Sequence, residues 1–379
     1  MSSRCSSMTR WSVVRYGSHS APLMISVSAY LSSGIFLEPY PGSTQEVMDG
    51  VPCDLETATP DEIVAAIQDA GVVGLGGAAF PTHVKLSPPP DKSLDAIVIN
   101  GCECEPYLTT DHRMMVDYPE RVHEGIRIMS RVLGVKRILV GIEKNKPDAV
   151  ERMRETAPTD LDIEILPLRV RYPQGAEKML IEALLAREVP SGGLPMDVGV
   201  IVQNVGSVAC IAEIFETGLP LIERIVTVTG HGVKKPGNLL VPVGTKIGDL
   251  IEACGGFTDD AREVVSGGPM MGAAIANLDA PVTKGTTGIV VLRDVDCEER
   301  AQQPCIRCGH CLDACPVFLN PQILGKLAMK NRYEEMEGEH HVWDCMLCGC
   351  CSYVCPSHIP LSQLFAASRT ALRKSKASA

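Results

Sequence analysis

Cysteine spacing constrains this chain more than any other feature. Nine of its 16 cysteines lie between Cys305 and Cys355. They form two blocks: Cys305, Cys308, Cys311, Cys315 and Pro316, then Cys345, Cys348, Cys351, Cys355 and Pro356. Each block reads C-x2-C-x2-C-x3-C-P, and the two start 40 residues apart. A cubane iron–sulfur cluster takes four thiolates, and in the doubled pattern the fourth cysteine of each run ligates the other cluster. The spacing therefore predicts one [4Fe–4S] cluster on Cys305, Cys308, Cys311 and Cys355, and a second on Cys345, Cys348, Cys351 and Cys315. Cys350 is left as a spare thiol. Zinc ribbons pair C-x2-C units across a longer gap, so a zinc-bearing interaction module fits the pattern poorly. Pro316 and Pro356 end the runs and turn the chain over the clusters. His310, His340, His341 and His358 read as solvated neighbours. Such clusters imply a reducing compartment.

The rest of the chain is an ordinary globular sequence. Hydrophobic residues make up 45% and charged residues 21% of its 379 positions, which excludes wholesale disorder. A net charge of −11 with 4% aromatics argues against nucleic acid as a partner. No apolar run of about 18 residues exists to span a bilayer. Residues 1–36 are serine-rich, carry Arg4, Arg10 and Arg15, and contain no acidic residue. They read as an atypical, disordered tail outside the core, or as the product of a mistaken start site.

Thr59-Pro60-Asp61-Glu62 opens a helix, with Thr59 as cap, Pro60 in the first turn and acids at the positive end. Strands are expected at 96–100, 137–142, 162–166 and 198–202, separated by helices at 119–133, 147–156 and 175–186. That alternation predicts a parallel α/β domain over 37–219. A small α+β module follows over 220–275, then a connector at 276–298, a cluster-bearing helical domain at 299–365 and a basic tail at 366–379.

Three polar loops stand out. Gly74-Leu75-Gly76-Gly77-Ala78-Ala79-Phe80-Pro81 is neither a Walker loop nor a dinucleotide fingerprint, but its glycines would let amides approach an anion, with Lys85 nearby. Alone, a plain glycine turn explains it equally well. Asn100-Gly101-Cys102-Glu103-Cys104-Glu105 directly follows a strand, where open α/β sheets bind ligands. Gln203-Asn204-Val205-Gly206 does the same. Cys102 and Cys104 read as buried small residues.

These stretches, with Gly267-Gly268-Pro269-Met270-Met271-Gly272 and the cysteine blocks, make the chain resemble the C subunit family of the Rnf electron transport complex over about residues 35–370. That family is related to the flavin-bearing, NADH-oxidising subunit of respiratory complex I. The resemblance implies an oxidoreductase component that carries flavin mononucleotide (FMN) and two [4Fe–4S] clusters, with NAD(H) as substrate. It implies an ion-translocating ferredoxin:NAD+ oxidoreductase whose other subunits lie in the cell membrane, with this chain docked peripherally on the cytoplasmic face and ferredoxin reached through the complex. Residue by residue, Gly74, Gly76, Gly77 and Lys85 would hold the flavin phosphate. Asn100, Glu103, Glu105 and Asn204 would line the flavin, and Gly175 and Glu177 the nucleotide region. Cys102 stands where the complex I relative has aspartate, and Leu75 where it has arginine, which shifts phosphate neutralisation towards Lys85. The 220–275 module resembles a β-grasp, soluble-ligand-binding fold. Hydride transfer needs alignment, so no side chain is expected to act as acid or base. Rival readings are a soluble cobalamin-reductase-like flavin/iron–sulfur protein and an electron-wire subunit with a vestigial flavin pocket.

Overall fold

The computed structural model describes residues 16–27, 30–39, 52, 54–297 and 301–378. Residues 1–15, 28 and 29 of the expected tail lie outside the described residues. The remainder of that segment differs from the disordered tail expected there. It forms an antiparallel pair, β1 (Tyr16–Val27) and β2 (Tyr30–Pro39), which runs from Tyr16↔Pro39 to Val27↔Tyr30 with a register shift between Ser18 and Pro22. Valine, isoleucine, leucine and phenylalanine interspersed with serine there suit extended backbone better than the overall serine content suggests.

The first large unit is the parallel sheet that the alternating pattern predicts. Strands β3 (Ala96–Gly101), β4 (Arg137–Glu143), β5 (Asp162–Leu168) and β6 (Val200–Asn204) lie in the order β5-β4-β3-β6, every neighbouring pair parallel. The middle strands are apolar on both faces, as a sheet covered by helices requires: Ala96, Ile97, Val98 and Ile99 are all buried. Helix Pro60–Asp69 begins with a reciprocal capping box between Thr59 and Glu62. Helix Pro119–Leu133 starts on a proline and stops at Gly134 in the left-handed region. It buries Val122, Ile126 and Met129 in the main core beside Val208 and Ile211 of helix Val205–Thr217.

A mixed sheet follows. Strands β7 (Glu223–Thr229), β8 (Gly237–Pro242), β9 (Ala261–Ser266), β10 (Ala273–Ile275) and β11 (Gly288–Arg293) lie in the order β10-β9-β11-β7-β8. Helix Ile247–Ala253 buries Ile247, Leu250 and Ile251 in this sheet's core. The connector expected at 276–298 is therefore corrected. It contributes β11, the middle strand, parallel to β7 and antiparallel to β9.

The cluster-bearing unit has its own core of Leu324, Met336, Val342, Phe365 and Leu372. Helix Leu361–Ser378 runs through the segment expected as a basic tail. It holds on because Leu372 is buried and Arg369 lies 4.9 Å from the Trp343 ring centroid, a cation–π contact.

Candidate cofactor sites

The two cysteine blocks fold back on one another so that their last cysteines exchange. Cys305, Cys308, Cys311 and Cys355 line one hollow of about 480 Å3, its solvent-facing part included, with Ile306, Met329 and Ile359. Cys315, Cys345, Cys348 and Cys351 line a second, of about 370 Å3, with Leu319, Leu347 and Phe365. Each hollow thus collects three thiols from one block and one from the other, the donor set of a cubane. All 14 described cysteines are free thiols. Among the described residues no three His, Cys, Asp or Glu side chains close on a single ion; each tetrad is spread around a hollow instead. Cys350 also lines the second hollow, beside Cys351, which keeps the motif spacing.

The two hollows differ in setting. Cys305 and Cys308 are exposed, whereas Cys348 and Cys351 are buried. The carbonyls of the second set are also held: Arg369 donates to Cys345 O at 2.7 Å, and the Tyr172 hydroxyl donates to Cys348 O at 2.7 Å. Tyr172 belongs to the parallel-sheet domain, so this bond joins the second tetrad to the loops at the strand ends.

At those ends, Asn100 and Asn204 are register partners on the parallel strands β3 and β6. Asn204 caps helix Val205–Thr217, accepting from the amides of Gly206 (2.9 Å) and Ser207 (3.3 Å), and its Nδ2 donates to Asp111 Oδ2 at 2.7 Å. The glycine loop folds over this point. Gly74 N donates to Phe80 O at 2.8 Å, and Leu75 N donates to Ser207 Oγ at 2.7 Å. A Cβ on Gly76 would stand 3.4 Å from the Asn204 side chain, and Gly77 has φ +109°, a conformation open to glycine. Gly76, Gly77 and Ala78 are exposed, and their amides donate to no protein acceptor among the described residues. Three successive free amides beside a helix N-terminus form a cradle that fits a phosphate ester.

The remaining sequence-predicted residues fall into pairs. Asn100 Nδ2 donates to Gly175 O at 2.8 Å, and its Oδ1 accepts from Cys102 N at 3.0 Å. A Cβ on Gly175 would lie 2.3 Å from Cys102 O, so only glycine permits this approach. Lys85 Nζ lies 3.4 Å from Glu177 Oε2 and 3.1 Å from Val202 O. Two acids have other partners than the loop position suggests. Glu103 accepts from Thr110 Oγ1 and from the amides of Asp111 and His112 at 3.0–3.2 Å, capping helix Thr110–Asp117. Glu105 accepts from the amides of Met270 (3.0 Å) and Met271 (2.8 Å) in the turn after β9. Burial holds the Glu105 carboxyl above its ordinary range, against the pull of those amides. Burial likewise pushes the Cys104 thiol up to about 11 and the Cys102 thiol higher, so both stay protonated and unreactive near neutral pH.

Sequence reasoning missed three residues of this region. Asp111 is pushed up to about 8 by burial and by Glu103 beside it. Ser207 sits one turn into a helix that carries no amphipathic signal, with its hydroxyl on Leu75 N. Arg224, in β7, donates to the carbonyl of Leu75 in the glycine loop at 3.4 Å. A basic residue near the start of a valine-rich strand gives no warning of that contact.

Comparison with known proteins now bears on this geometry. Residues 67–213 match the family model for the Nuo51 FMN-binding domain, residues 225–274 the SLBB domain and residues 301–359 the 4Fe-4S dicluster domain. The C subunit of the proton-translocating ferredoxin:NAD(+) oxidoreductase complex of Clostridium ljungdahlii is 47% identical over 301 residues, 79% of this chain and 66% of that protein. The chain belongs to the C subunit family of ion-translocating oxidoreductase complexes. Other members of the family include the C subunit of the Na(+)-translocating complex of Acetobacterium woodii, 45% identical over 76% of this chain and 65% of that protein. The C subunit of the Rhodobacter capsulatus complex is 45% identical over 70% of this chain and 51% of its own length. The chain thus spans about two thirds of the first two relatives and about half of the third. An NAD+-reducing [NiFe]-hydrogenase shares the fold, with TM-score 0.56 and 21% identity over 82% of this chain and 63% of that one. An FMN-binding domain, an SLBB domain and a two-cluster domain therefore follow one another along this member of the family. No helix among the described residues is long and apolar enough to cross a membrane.

Proposed function

We propose that this chain is the electron-input subunit of an ion-translocating ferredoxin:NAD+ oxidoreductase, exchanging electrons between NAD(H), FMN and two [4Fe–4S] clusters. It docks peripherally on membrane subunits at the cytoplasmic face and meets ferredoxin only through them. The observation that carries this reading is the Tyr172–Cys348 bond, which sets one crossed cysteine tetrad against the loops of the FMN-binding domain. The names of the relatives support it.

A bound flavin supplies the exchange between two-electron hydride chemistry and one-electron transfer. The chain's own residues bind and orient. The amides of Gly76, Gly77 and Ala78 receive the phosphate. Gly74 closes the loop through Phe80. Asn204 sets the helix N-terminus behind it. Asn100 and Gly175 lock the β3 loop against the segment that carries Tyr172. Lys85, balanced by Glu177, lends positive field at the strand ends. Glu103 and Glu105 act as positioning residues, the first fixing helix Thr110–Asp117 and the second tying the loop to the SLBB domain. Cys305, Cys308, Cys311 and Cys355 hold the outer cluster, and Cys345, Cys348, Cys351 and Cys315 the one beside Tyr172.

The test is anaerobic addition of NADH to the purified protein. Bleaching of the iron–sulfur absorbance with one FMN present is the expected result. Clusters that dithionite reduces and NADH does not, despite bound FMN, contradict the reading.

A further inference from the structure

Arg224 is buried, with 5% of its surface exposed, at the second position of β7 in the mixed sheet, directly before the SLBB match at residues 225–274. Its guanidinium donates to the carbonyls of Ile225 (3.3 Å), Leu75 (3.4 Å) and Lys284. Those carbonyls take one bond from each guanidinium nitrogen without neutralising the charge, and a buried charge is costly unless it is paired. No carboxylate hydrogen-bonds it among the described residues. The carboxylate whose field it feels most is Asp111, and that group is itself held towards its neutral form by burial and by Glu103. Burial lowers Arg224 to about 10, so it remains charged at neutral pH.

The glycine loop lies directly against this charge. Residues 74–81 contain no cation of their own. Of the other cations near the loop, Lys85 is paired with Glu177 and Lys284 donates to Gly71 O at 2.6 Å. The loop that carries these amides thus meets, through the Leu75 carbonyl, a buried guanidinium that no carboxylate hydrogen-bonds among the described residues and that comes from the mixed sheet.

We propose that Arg224 is the charge that selects a phosphate monoester at the glycine loop, so that the mixed-sheet unit confers preference for the phosphorylated flavin over the unphosphorylated one. This rests on the flavin reading above. It assigns the mixed-sheet unit a part in the flavin site. The guanidinium acts through its field and through the Leu75 carbonyl.

The test uses the full chain with clusters intact and flavin removed, titrated with FMN and with riboflavin by fluorescence quenching. Wild type is expected to prefer FMN by at least about tenfold. Arg224→Met is expected to bring the two affinities within about twofold, while riboflavin binding changes by less than about threefold. Equal losses for both ligands would mark Arg224 as scaffold and overturn the proposal, as would an unchanged FMN preference. If the Met variant fails to fold, Arg224→Lys keeps the charge and is expected to keep the preference within about threefold; a preference lost with the charge present overturns the proposal too. Wild type binding both flavins equally sinks this inference alone, whereas wild type binding neither sinks the flavin reading beneath it.

Discussion

Replacing Glu105 separates the value of its charge from the value of its hydrogen bonds. The carboxylate accepts from Met270 N at 3.0 Å and Met271 N at 2.8 Å. Met271 is 55% exposed, so its amide finds water when the carboxylate is removed. Met270 is the less exposed of the two residues, and its amide is the donor expected to go without an acceptor. Glu105→Ala should therefore leave one donor without an acceptor, at a cost of about 2 kcal/mol. That is roughly a 30-fold loss of hydrogen-exchange protection. Glu105→Gln keeps one carbonyl oxygen for Met270. Because burial already disfavours the charge more than the two amides favour it, losing the charge adds little, and the expected cost is below about 1 kcal/mol. Hydrogen–deuterium exchange of the peptide spanning residues 266–272, measured on anaerobically prepared protein, reads both variants. A Gln variant as poorly protected as the Ala variant would refute the reasoning, because the charge would then be the stabilising element.

Other residues give separate tests. Asp111 has a folded-state pKa near 8 against an ordinary 3.8, so the folded protein holds the extra proton. Its contribution is fully present below about pH 4 and is lost as pH rises towards 8. Asp111→Asn should therefore flatten the fall in melting temperature between pH 5 and 8, and an unchanged slope would contradict the shift. Cys350→Ser should keep all the iron, while Cys351→Ser and Cys315→Ser should each lose one cluster's four irons, as measured by iron and sulfide content. Arg369→Met removes the bond to Cys345 O and the stacking on Trp343. It should cost about 1–2 kcal/mol of stability and alter the paramagnetic resonance of the second cluster alone.

The parts of this molecule that were legible are those written in local spacing. Crossed cysteine tetrads follow from a motif whose ligand order is fixed by the cubane. Helix Pro119–Leu133 was legible to the residue because a proline opens it and Gly134 closes it. Helix Val205–Thr217 was not, since it is buried on almost every side and shows no polar face. Its first turn read instead as a polar loop. The strand β11 hid in a connector because its partner β7 lies about 60 residues earlier, and no local pattern announces a non-local pairing. The same holds for the site. Asn100, Asn204 and the glycine loop were visible as polar residues at strand ends. That Glu103 caps one helix, that Glu105 reaches the turn at Met270, and that Arg224 lies against Leu75 depend on contacts across seven, 165 and 149 positions.

The central claim is that two crossed tetrads and one flavin share this chain. Anaerobic purification followed by quantification of iron, acid-labile sulfide and FMN on the same sample tests it most directly. The account predicts about eight irons, about eight sulfides and one FMN per chain. About four irons, or zinc in place of iron, would contradict the crossed tetrads, and clusters present without any bound or bindable flavin would contradict the electron-input role.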